Sequence, residues 1–187
     1  MKTLLAFLAV ALLAPAVSAD DALVKELERT EAKLLKAVDG LSAEQWAFKA
    51  APDRWSIAEC VEHITAAEPF IRGMVVKSLE TPAAKDSKKD DLVLTALVDR
   101  SKKFKAPEPL IPTNKFASAA DAMAAYRKER AETIKLAKSD ADFRTHGSDH
   151  FALGPLDSYG WVLFLSAHSE RHTLQIEEVK TSEGYPE

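Results

Sequence analysis

Cysteine is nearly absent: Cys60 is the only one in 187 residues. That excludes an internal disulfide framework and any cysteine-rich zinc site. Glycine is scarce too, with six residues beside nine prolines, which excludes collagen-like and low-complexity classes. Block-like positive charge is missing. The 25 Lys and Arg are scattered among 29 Asp and Glu for a net charge of −4, so the clustered cations that neutralise a phosphate backbone are lacking and nucleic acid is not expected as a partner. Convincing strand alternation and internal repeats are also lacking, and beyond the N-terminus no apolar run is long enough to span a membrane. What is present is 47% hydrophobic and 29% charged residues, enough for one domain with a sizeable core and incompatible with intrinsic disorder.

The N-terminus carries a three-part export pattern: Lys2, then the apolar run Leu4 to Ala14, then Pro15 and the small residues Val17-Ser18-Ala19. Eleven apolar residues are too few for a span of roughly 20. The pattern predicts a secretory signal over residues 1–19, cut after Ala19, and a periplasmic or secreted product. Residues 20–187 then form a single domain. Its formal charge is −5, because the segment removed carries only Lys2 (24 basic, 29 acidic).

Four long stretches show helical periodicity. In the first, from about Asp21 to Val38, Leu23, Leu27, Leu34 and Val38 share a face and Gly40 stops the helix. Ser42 to Gln45 forms a cap ahead of Trp46. The second begins at Ser56, where Ser56-Ile57-Ala58-Glu59 is a capping box. Its apolar stripe is Ile57, Cys60, Val61, Ile64, Ala67, Ile71 and Val75, with a kink expected at Pro69. Residues 80–117, with four prolines, form a long connection holding a subsidiary helix over 91–104. A segment of that length shapes a pocket or a homodimer contact. The third helix spans 118–137. Residues 145–156 are expected to be irregular, and the fourth helix starts at Asp157 or Ser158. The sum is an all-α four-helix bundle with a long crossover connection.

Five histidines are present. His168 and His172 lie four apart on the fourth helix, about 40° from eclipsed, and both fall on its apolar face. His63 flanks the stripe of the second helix. A histidine on one helix facing a pair on another can build a three-nitrogen metal site with an open position for water or substrate. His146 and His150 are expected at the surface or a pocket rim. Gln175 shares the face of His168 and His172 and can bond a ligand histidine or a water; Glu59, one turn before His63, can orient its ring or act as a general base, beside its role in the cap. Cys60, Trp46, Trp55 and Trp161 read as core residues.

Trp55-Ser56-Ile57-Ala58-Glu59-Cys60-Val61-Glu62-His63-Ile64, and Gly154-Pro155-Leu156 followed by His168-x-x-x-His172-x-x-Gln175-Ile176, together resemble the second-helix and last-helix signatures of the DinB-like superfamily. The resemblance extends over about residues 20–180. It implies a four-helix bundle and a divalent metal held by three histidines, matched here by His63, His168 and His172. Relatives include metal-dependent hydrolases and transferases that use low-molecular-weight thiols. An export signal is a departure from the thiol-using relatives, which work with cytoplasmic thiols. Three imidazoles suit several divalent ions, Zn²⁺ and Ni²⁺ foremost among the expectations. The leading functional expectation is a metal-dependent hydrolase acting on a small molecule. The competing ones are a non-catalytic envelope protein that binds metal or ligand, a thiol-dependent S-transferase, and a helical interaction protein whose histidines are structural.

Overall fold

A computed structural model describes residues 19–187, with side chains from Asp21. The expected signal segment, Ala19 apart, lies outside that range. The four main helices are α1 (Ala19–Val38), α3 (Ile57–Ser78), α5 (Ala119–Ala137) and α6 (Ser158–Lys180). Short α2 (Ala43–Ala47) links the first two, and α4 (Asp90–Val98) and a 3₁₀ turn (Glu108–Leu110) lie in the crossover.

Local chemistry sets the helix starts. Ser42 and Ser56 each accept from the N3 backbone N–H, while Gln45 and Glu59 reach back to the cap N–H, so both predicted capping boxes form. Of the two candidate caps for α6, Asp157 is the one used: its Oδ1 accepts from the Gly160 N–H at 2.6 Å. Helix α3 continues through Pro69 to Ser78. Helix α4 stops at Val98, short of the expected 104. The buried Arg171 of α6 takes up the carbonyls of Leu97, Asp99 and Lys102, which a continuing helix would have needed for itself.

Side-chain pairings define the topology. α1 and α6 run in parallel, as Thr30 meets Ser166 and Lys180 reaches the Ala37 carbonyl. α3 and α5 are also parallel: Cys60, Val61 and Ile64 pack with Ala122 and Tyr126, and Glu68 meets Arg130 and Thr133. α3 and α6 are antiparallel, with Ser78 against Ser158 at one end and His63 against His168 further along. α1 packs on α5 and α6, and α3 packs on the same two. Parallel α3 and α5 require the chain to return along the whole bundle between them, which is why the connection is long.

The core is two apolar clusters, one around Leu23, Leu27, Ile71, Val75 and Leu163, the other around Leu34, Ile57, Val61, Tyr126 and Ile176. A polar layer divides them. Arg130 and Glu68 are 0% and 1% exposed and form an ion pair at 2.6 Å, with Thr133 donating to Glu68 and Arg130 donating to Thr30. Removing one partner of so buried a pair costs about 3–5 kcal/mol. Cys60 is buried in the second cluster, as expected, and burial pushes its thiol pKa up, which leaves it inert.

One expectation is corrected. Residues 145–156 are not irregular throughout: β1 (Gly147–His150) and β2 (Gly154–Asp157) pair antiparallel, Gly147 opposite Asp157. Neither GSDH nor GPLD alternates in polarity, so periodicity carries no signal. Backbone hydrogen bonds make the hairpin, and the Gly147 N–H also donates to the Thr81 carbonyl.

Candidate metal centre

α3 and α6 bring His63, His168 and His172 together. One ring nitrogen of each lies within 4.8 Å of the others. His63 and His172 are buried and His168 is intermediate in exposure. Nε2 of His63 stands 3.1 Å from Nε2 of His168, and the ring centroids of His63 and His172 are 4.4 Å apart.

The outer hydrogen bonds decide which nitrogens face inward. The His63 Nδ1 is 2.7 Å from the Leu110 carbonyl oxygen. A carbonyl only accepts, so Nδ1 carries the hydrogen and Nε2 keeps its lone pair. The His172 Nδ1 is 2.9 Å from Gln175 Oε1, to which it donates, so its Nε2 is likewise a free base. Two imidazoles with their lone pairs on the inner nitrogen are what a divalent cation requires. The 3.1 Å separation also fits, since nitrogens about 2.0–2.1 Å from a shared ion sit roughly 3 Å apart. The donor set and its tautomers thus fit a metal.

Electrostatics point the same way. Burial lowers the pKa of all three histidines. For His168 the His63, Arg171 and Arg130 charges lower it further, and for His172 the neighbouring His168 and His63 do so, opposed by the bond to Gln175. Neutral imidazoles, the form that binds metal, therefore prevail at neutral pH.

The remaining predicted residues are placed as follows. Gln175 contacts His172 directly. Glu59 has both oxygens committed: Oε2 accepts from the Ser56 N–H at 2.7 Å and Oε1 pairs with Lys49 at 2.9 Å. Trp55 packs against the core, as read from sequence, and also borders the site, its ring 4.8 Å from His63 and 5.9 Å from His172. Trp161 is in the core, and Trp46 packs against it from the edge. His146 is at the surface as expected, but His150 is buried: its Nδ1 accepts from the Ala152 and Leu153 N–H groups at 3.1 Å each.

Sequence reasoning missed Leu110 and Arg100. Leu110 acts through its carbonyl, which no side-chain pattern reveals. Arg100, just past α4, donates from Nη1 to Gln175 Oε1 at 3.2 Å.

Comparison with known proteins bears on the fold and the family. The chain is 26% identical over 144 residues to the protein YuaE of Bacillus subtilis (strain 168), which covers 75% of this chain and 86% of that one. The solved structure of YfiT from Bacillus subtilis, described as a probable metal-dependent hydrolase with an unusual four-helix bundle topology, aligns with a TM-score of 0.57 over 89% of each chain, at 17% identity. That likeness speaks for the fold. The family model of the DinB superfamily matches residues 26–176, spanning the two motifs from Trp55 to Gln175, and the chain belongs to that superfamily.

Proposed function

We propose that this protein is a metal-dependent hydrolase of small molecules whose divalent ion is held by His63, His168 and His172. The observation that carries the reading is the convergence of three histidine nitrogens within 4.8 Å, two of them with the tautomer fixed from behind. YfiT, whose fold this chain shares, is described as a probable metal-dependent hydrolase, which supports the class of reaction. A divalent ion there supplies Lewis-acid polarisation and lowers the pKa of water towards about 7.

The chain's own groups have separate tasks. His63 and His172 present Nε2, held by Leu110 and Gln175 respectively. His168 completes the set of three, its Nε2 3.1 Å from that of His63. Trp55 borders the His63 and His172 rings, its centroid 4.8 and 5.9 Å from theirs. Gln175 is a positioning residue in this scheme, and Glu59 belongs to the cap of α3. Zn²⁺ and Ni²⁺ are the proposed ions, both suited to imidazole. Export of the chain, carried by the pattern of residues 1–19, is part of the same proposal.

The test is metal content by mass spectrometry of the purified protein beside a His63→Ala, His168→Ala double variant, followed by a screen of ester, amide and lactone substrates. About one equivalent in the wild type, lost in the variant, with turnover that tracks metal content, is expected. Metal without turnover would favour a binding protein of the envelope, and no metal after reconstitution would overturn the reading.

A further inference from the structure

We propose that Arg100, in the crossover connection, is a positioning residue of the metal centre: it fixes the tautomer of His172 by fixing which end of the Gln175 amide faces that ring. The inference rests on the metal-site reading above and adds a residue, and a segment of chain, that lie outside both sequence motifs.

A glutamine amide is ambiguous as a neighbour. Its oxygen accepts and its nitrogen donates, and a half-turn of the terminal amide exchanges them. With the oxygen towards His172, Nδ1 must carry the hydrogen and Nε2 is left as a base. With the nitrogen towards it, Nδ1 becomes the acceptor, Nε2 takes the hydrogen, and the inward nitrogen no longer has a lone pair to give. Gln175 alone therefore does not determine whether His172 can be a ligand.

Arg100 removes the ambiguity. A guanidinium has donors only, so the group that meets its Nη1 at 3.2 Å must be the amide oxygen. The same oxygen is 2.9 Å from His172 Nδ1. Turning the amide would set NH₂ against the guanidinium and lose that hydrogen bond, while His172 would have to change tautomer to keep its own. Arg100 is itself held in place, since Nε and Nη2 grip Glu178 Oε1 and Oε2 at 2.6 and 2.8 Å in a two-pronged pair. Glu178 lies three residues after Gln175 on α6, so both anchors of the guanidinium stand on the ligand helix itself.

The crossover thus supports the site at two points. Leu110 sets His63 through a backbone carbonyl, and Arg100 sets His172 through Gln175. Both lie on the segment that returns along the bundle, and neither supplies a metal ligand. Arg171 ties that segment down on either side of Arg100 through the carbonyls of Leu97, Asp99 and Lys102.

The experiment reads side-chain ¹⁵N shifts of the histidines in the metal-free full-length protein at about pH 8, above the ordinary histidine range near 6.5. Wild type, Arg100→Met, Arg100→Lys and the double variant Arg100→Met with Gln175→Glu are compared, each followed by zinc titration. Arg100→Met keeps the apolar stem and removes the donors. In it His172 is expected to leave the pure Nδ1–H form while His63 stays in it, and zinc binding weakens about tenfold or more, the usual effect of removing an outer partner of a ligand histidine. Lysine, also a donor-only group, restores the tautomer. The carboxylate of Gln175→Glu restores it without any arginine, because both of its oxygens accept. An unchanged His172 in Arg100→Met overturns the proposal. So does a simultaneous change at His63, which would mean that the crossover has come loose as a whole. Should the wild type bind no zinc while the tautomers respond as described, the metal reading fails and the role of Arg100 stands.

Discussion

The three clustered histidines, His63, His168 and His172, illustrate how a residue's surroundings decide its chemistry. Each has a pKa lowered mainly by burial. In the unfolded chain they titrate near about 6.5, so below that pH the unfolded state binds more protons than the folded one. Their contribution to stability is therefore whole above about pH 6.5 and is lost as the pH falls through the depressed folded values. Metal-free protein followed by circular dichroism is expected to hold its melting temperature from about pH 8 to 6.5 and to lose it below, with the slope reduced in His168→Gln. An identical acid-side slope in that variant would show that His168 is not held neutral by the fold. Protons also compete with the metal at the same nitrogens, so zinc affinity falls over the same acidic range.

At the scale of elements, the helices and the hairpin have different origins. The helices follow from caps and periodic apolar stripes, which are local and repeat along the chain. The hairpin depends on close backbone approach. A Cβ on Gly147 would stand 2.3 Å from the Leu156 carbonyl oxygen and 2.9 Å from the Asp157 Cα, both backbone atoms that cannot swing aside. Gly147→Ala is expected to cost about 1–3 kcal/mol, read as a lower midpoint in urea denaturation. An unchanged midpoint would mean that β1 and β2 do not pair as described. Gly154 serves differently: at φ +69° it turns the chain into β2, a conformation that glycine adopts freely. Beside it, His150 organises the hairpin tip through the Ala152 and Leu153 N–H groups, which accounts for its burial without a metal role.

At the scale of the whole molecule, the proposed metal site is a clasp between α3, α6 and the crossover. A ligand that binds only the folded state stabilises it by about 2.7 kcal/mol at a concentration 100 times its Kd. For a domain of this size each kcal/mol shifts the melting temperature by about 2–4 °C, so adding zinc to the chelated protein is expected to raise Tm by roughly 5–10 °C. The His63→Ala, His168→Ala variant should show no such rise in differential scanning calorimetry. An equal rise in that variant would place the binding elsewhere.

The sequence by itself determined the four main helices, the capping box of α3 and the likeness to the DinB superfamily, because periodicity, capping boxes and short motifs are written over neighbouring residues. It also singled out His63, His168, His172 and Gln175, since spacing on a helix face is a local property. Only the tertiary structure decided that Trp55 borders the site, that the other oxygen of Glu59 is committed to Lys49, and that Arg100 and the Leu110 carbonyl stand behind the histidines. These depend on contacts between residues 8 to 117 positions apart. Neither the path of a 40-residue connection nor the direction of a carbonyl is encoded in any residue's own preference; both are fixed when parallel α3 and α5 force the chain back along the bundle.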